Sequence, residues 1–195
     1  MQLPPTIRIN QNFRKLLISS ALGVVGAAAD ADEITMLFED FGGDARSRWT
    51  YVADGVMGGV SQGQARMVET DQGPAVRLRG EVSTENNGGF IQVRNRFAES
   101  WPDDAKGLRI STKGNGEIYY VFLRTQGLTR VWHSYRVAFA TSSEWSQIEM
   151  DFSDFRMSHD GMPVNFSPSD VRSIGIVAYG REHTADVTVG SIALY

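Results

Sequence analysis

The chain has no cysteine and only three histidines and six prolines among its 195 residues. Without cysteine there is no disulfide, no thiol nucleophile and no thiolate metal site. His133, His159 and His183 lack i,i+4 or HExxH spacing, so they read as surface or hydrogen-bonded side chains rather than a zinc set. No GxSxG elbow, no GxxxxGK[ST] loop and no GxGxxG after a strand occurs. The acidic pairs Asp103/Asp104 and Asp151/Asp154 fall at a turn and a strand end, and adjacency in sequence does not set two carboxylates across one glycosidic bond. These absences leave no catalytic centre, cofactor site or metal site, and the chain reads as a non-enzyme.

Long apolar runs are missing too. The longest uncharged apolar stretch, Leu16 to Ala29, is shorter than the roughly 20 residues of a membrane-spanning helix. It follows Arg14 and Lys15 and ends in Ala29-Asp30-Ala31, the order of a secretory signal with small residues at −3 and −1. Residues 1–31 are therefore expected to be an export signal, with cleavage after Ala31 and a mature chain of residues 32–195 that is periplasmic. A second cleavage position follows Ala29, and the alternatives to a cleaved signal are a buried N-terminal helix and, behind it, an uncleaved membrane anchor. Removing Arg8, Arg14, Lys15 and Asp30 leaves 16 basic and 22 acidic residues, a net charge of −6. Such a balance, with dispersed arginines, argues against a nucleic-acid surface.

The full sequence is rich in glycine, 20 residues, and ordinary in its 42% hydrophobic content. One domain with a sizeable core accommodates 164 residues; two do not fit comfortably. Val76 and Leu78 alternate with Arg77 and Arg79, Leu108 and Ile110 with Arg109 and Ser111, and Ile148, Met150 and Phe152 with Gln147, Glu149 and Asp151. Period-2 patterning of this kind makes strands with one buried face. Ile118 to Leu123, IYYVFL, is apolar on both faces and belongs in the middle of a sheet. Further strands are expected near 34–39, 49–53, 64–69, 90–95, 132–139, 173–179 and 185–194, with turn formers between them. About ten short strands favour an all-β, two-sheet sandwich of jelly-roll type.

Two segments stand out, WTYVADGVMGGVS at 49–61 and GEVSTENNGGF at 80–90. Each joins strands through an acid or amide beside paired glycines. In one reading Asp54 and Asn87 cap turns while the glycines supply positive φ or close packing. In the other the two loops form a rim that binds a ligand or partner, with Asp54, Ser61, Asn87 and Arg94 near one edge of the sandwich and Trp49 or Phe90 as an apolar platform.

The same segments resemble a family. Asp54-Gly55-Val56-Met57-Gly58-Gly59-Val60-Ser61, then Gly80, Ser83 and Gly88-Gly89-Phe90, look like the signature of the complex I intermediate-associated protein 30 family. The likeness continues through Gly107-Leu108-Arg109, Lys113 to Gly116, Tyr119 to Thr125, Trp145, Phe152, Asp154 and Phe155. It spans roughly residues 37–195. The resemblance implies a galactose-binding-like sandwich and action through protein contacts, as in a complex I assembly factor, with no catalytic residues to carry over. An assembly factor for an arm facing the matrix or cytoplasm would not be exported, so the expected signal separates fold from partner here.

Three functions follow, in this order: a non-catalytic binding or assembly module with a protein partner, a carbohydrate-binding module of the cell envelope, and a hydrolase whose acids meet only in space. Under the second, Trp132 and Tyr135 would stack on sugar, with core packing as their alternative role.

Overall fold

A computed structural model describes residues 35–195; the expected export signal lies outside them. Twelve strands form two antiparallel sheets. They are β1 (Met36–Glu39), β2 (Trp49–Ala53), β3 (Gln62–Thr70), β4 (Gly73–Val82), β5 (Phe90–Arg96), β6 (Gly107–Gly114), β7 (Ile118–Thr125), β8 (Tyr135–Ala140), β9 (Ser146–Asp151), β10 (Arg156–Met157), β11 (Val171–Tyr179) and β12 (His183–Leu194). A single helical turn, α1 (Ala45–Arg48), precedes β2.

The first sheet runs β3-β4-β12-β6-β9. The long β12 pairs with β4 over His183–Val189 and with β1 over its last residues, so β1 continues the edge where β4 leaves off. The second sheet runs β10-β8-β7-β11-β5-β2. As the apolar run at 118–123 requires, β7 is interior, flanked by β8 and β11. The alternation seen in the sequence becomes a layer of buried side chains between the sheets, including Leu78, Ile91, Val93, Leu108, Ile110, Val121, Leu123, Ile174 and Ile192.

The β3–β4 hairpin turns on Asp71-Gln72, with Gly73 at φ +100° and Thr70 Oγ1 accepting from Gln72 N–H at 3.1 Å. Pro74 follows at once, beyond the last pairing of β4 with β12, where its missing N–H breaks no ladder bond.

Two details differ from the sequence expectation. The strand expected at 132–139 begins only at Tyr135, because Trp132 and His133 belong to a loop gathered by Arg124. The two-residue β10 carries no period-2 signal and is held by pairing with Arg136 and Tyr135.

Candidate functional site

Asp54 follows the last residue of β2 and opens a 3-10 turn, Asp54–Met57. Its side chain is fully buried. Oδ1 accepts the Ser61 N–H at 3.0 Å; Oδ2 accepts the Ser61 hydroxyl at 2.5 Å, the Gly89 N–H at 2.6 Å and the Phe90 N–H at 3.1 Å. Burial alone pushes the carboxyl pKa up, but the donors at Gly89, Ser61 and Phe90 outweigh it and hold the group below its ordinary value. Ser61 Oγ in turn accepts the Ser83 N–H at 2.9 Å. One carboxylate thus ties the end of β2 to the start of β3 and the start of β5.

Both glycine pairs serve this carboxylate, and each divides the work the same way. Gly58 takes φ +91° while a Cβ on Gly59 would sit 2.4 Å from Asp54 Cγ. Gly89 takes φ +129° while a Cβ on Gly88 would sit 2.6 Å from Asp54 Oδ2. One glycine of each pair turns the chain and the other leaves room for the acid.

Of the residues singled out in the sequence, Asp54, Ser61 and the Phe90 backbone come together here. Asn87 adjoins them in the 85–87 turn, exposed and in the left-handed region at φ +58°. Trp49 does not join them. It begins β2 at the far end, 5% exposed, with Nε1 donating to Glu39 Oε2 at 2.7 Å and its ring against Phe41. Glu39 is a second buried carboxylate, taking the Phe41 N–H at 2.8 Å and an ion pair from Arg48 at 2.8 Å. Arg94 lies down β5 on the outer face of the second sheet, away from the Asp54 turn.

That outer face is where unspent side chains gather. Register places Thr50, Arg94, Gly175, Phe122, Arg136 and Arg156 in one row across all six strands. A neighbouring row holds Gln92, Val177 and Tyr120, and on the other side Arg96 and Arg124 flank Ser173. Gly175 sits buried at the centre of the row, with the Gln92 amide close over it: a Cβ there would be 3.0 Å from Oε1. Phe122, Tyr120 and Tyr179 pack edge to face, and the Arg136 guanidinium covers Phe122 at 4.3 Å and Tyr179 at 4.8 Å.

Arg124 shapes the rim. Its Nη1 donates to the carbonyls of Arg130, Val131 and His133, and Nη2 reaches Leu128 O at 3.3 Å. The gathered loop presents Trp132, 48% exposed, with its carbonyl facing Arg136 Nη2 at 3.4 Å. Tyr135, the other aromatic considered for stacking, is 1% exposed and packs on Phe166 in the core. Sequence reasoning named Trp132 and Arg94 but missed their common face with Gln92, Arg124 and Arg136; alternation hinted at a polar face, while strand order was hidden.

His133 and His159 stack at 5.2 Å, and His183 stands apart against Tyr119. Among the described residues no three His, Asp or Glu side chains converge in a metal-binding group, and no helix is long and apolar enough to cross a membrane.

Solved structures with this fold include the family 11 carbohydrate-binding module from Clostridium thermocellum in complex with a beta-1,3-1,4-mixed-linked tetrasaccharide. It is 16% identical, with a TM-score of 0.69 over 82% of this chain and 94% of that one. The same organism's family 30 module of a cellulosomal cellulase is 14% identical, with a TM-score of 0.51 over 70% of this chain and 90% of that one. At such identity the likeness establishes the jelly-roll sandwich alone. No curated protein matches the sequence. The profile of the complex I intermediate-associated protein 30 family matches residues 39–190, through the Asp54 turn and every strand from β2 to β11, and the chain belongs to that family.

Proposed function

We propose that the protein is a non-catalytic binding module that takes a glycan chain on the outer face of the β10-β8-β7-β11-β5-β2 sheet. The observation that carries this reading is Trp132, an exposed indole held at the rim by the Arg124 carbonyl clamp, beside a face of polar side chains and rings. A sugar needs an aromatic surface for its C–H face and fixed donors and acceptors for its hydroxyls, and Trp132, Gln92 and Arg94 supply both kinds. The sugar-binding description of the family 11 module supports it, as does the expected export signal, which would bring a mature chain beginning near Asp32 to envelope glycans. Affinity electrophoresis through gels containing β-glucan, agarose, polygalacturonate or dextran sulfate tests it. Retardation by at least one polymer, abolished by Trp132→Ala with thermal stability intact, is the expected result; free migration in all of them would sink the reading. The mass of the protein purified from its native host tests export, since an intact Met1 would remove that support.

A second reading rests on a different surface. The turn held by Asp54 displays Val56, Met57 and Val60, 75%, 55% and 41% exposed. A rigid apolar knuckle of this kind suits a protein contact, as the family description suggests. A photo-crosslinker at Met57 that captures one defined protein, while the same probe at Arg66 does not, would favour it.

A further inference from the structure

The arginines of the two sheets are treated differently. On the outer face of the first sheet three are neutralised, Arg77 and Arg79 by Asp186 at 2.7 and 3.2 Å and Arg109 by Glu149 at 2.8 Å, while Arg66 bonds the neutral Gln64 amide. On the outer face of the second sheet no carboxylate answers Arg94, Arg96, Arg124 or Arg136 among the described residues. Arg124 and Arg136 spend their donors on backbone carbonyls and the Ser134 hydroxyl, all neutral, so their charges stay uncompensated. Among the described residues Arg94 and Arg96 have no hydrogen-bond or ion-pair partner.

Arg94 is also half-buried. Burial, with Arg96 and Arg124 close by, pushes its guanidinium below the ordinary arginine range. Holding a partly desolvated cation among like charges costs free energy that folding does not recover, and an anion at that spot would return it. Arg94 and Phe122 lie two inter-strand spacings apart, roughly 9–10 Å, on either side of Gly175. The Gln92 amide covers the buried Gly175 backbone there, so an anion would lie over the side chains of this row rather than in a cavity.

We infer that the ligand of this face is an anionic glycan, bearing carboxylate or sulfate groups that Arg94 and Arg96 recognise, with the Arg124 charge close by, while the rim indole of Trp132 stacks on the chain. The inference rests on the glycan reading above. A glycan is favoured over an acidic peptide or nucleic acid by the flat polar face and the single exposed indole beside it.

Charge-matched polymer pairs test it: polygalacturonate against its methyl ester, and dextran sulfate against dextran, measured by calorimetry on the full mature chain. The charged member should bind at least ten-fold tighter, weakening as salt is raised. Arg94→Gln and Arg96→Gln should each cut that affinity several-fold, and Arg66→Gln, which removes the same charge from the first sheet, should leave it unchanged. Arg96 is exposed, so its variant reads binding even if Arg94→Gln fails to fold. Equal or tighter binding of the neutral members would overturn the anionic inference and leave the glycan reading standing. Binding of neither member of either pair, with β-glucan and agarose also inert, would remove both. Poly-glutamate or single-stranded DNA binding as tightly as the charged glycans would overturn the inference in favour of a general acidic polymer.

Discussion

The Ser61 hydroxyl stands 2.5 Å from Asp54 Oδ2, and the Ser61 oxygen itself accepts the Ser83 N–H at 2.9 Å. This pair explains why so polar a segment as DGVMGGVS closes one end of a sandwich. The acid is a fastener whose partners are the Ser61 hydroxyl and three backbone donors from two other parts of the chain, residue 61 and residues 89–90.

Removing the fastener should be costly. Asp54→Ala strands the N–H groups of Ser61, Gly89 and Phe90 in a buried site, a loss on the order of 3–5 kcal/mol. Ser61→Ala keeps those backbone bonds and should cost only about 1–2 kcal/mol. Urea unfolding of the two variants checks the order; equal small losses would mean that the loops close without the carboxylate.

The same site sets an acid limit. Because the folded-state pKa of Asp54 lies below its unfolded value, the unfolded chain binds the proton more readily in the window between them. The stabilisation is complete above the ordinary aspartate range, about pH 4, and drains away as pH falls through the folded value. Asp54→Asn, weaker at neutral pH, should therefore lose less than the native chain between about pH 5 and pH 2. Converging denaturation midpoints over that range are the expected outcome, and parallel curves would assign the acid sensitivity to other carboxylates.

Much of the fold is legible in the sequence because strands with one wet face announce themselves by alternation, as at Val76–Arg79 and Ile148–Asp151. The site is less so. Trp49 and Asp54 are five residues apart, but five residues of extended chain span roughly 17 Å, so they serve opposite ends of β2. The glycine pairs were readable as turn formers; that a buried carboxylate fills the space they leave could not be read, since its donors lie at 61, 89 and 90. The arginine face was least visible, because Arg94, Arg124 and Arg136 become neighbours only through the strand order β8-β7-β11-β5.

The division of labour within each glycine pair gives a sharp contrast. A Cβ at Gly59 would press on the Asp54 carboxyl at 2.4 Å, whereas one at Gly55 in the same turn meets nothing within 4 Å. Gly59→Ala should destabilise by about 2 kcal/mol or more through displacement of the acid, and Gly55→Ala by well under 1 kcal/mol. Thermal unfolding of the pair decides whether the motif is fixed by packing around Asp54 or by turn conformation alone.

The last prediction concerns the rim. Arg124 holds residues 128–133 through four carbonyls, a task for a planar fork that reaches several acceptors at once. Lysine keeps the charge but has one compact ammonium, and it cannot span the same set. Arg124→Lys should therefore release the loop without opening the sandwich: the His133 amide, bonded to Arg130 O at 3.1 Å, should exchange about ten-fold faster or more. Core amides such as Val121 and Ile176 should keep their protection. If the loop amides are unchanged, Trp132 is positioned by the loop's own turns and not by the arginine. Exchange that quickens equally throughout would instead make Arg124 a residue of global stability, and the presentation of Trp132 would lose its local cause.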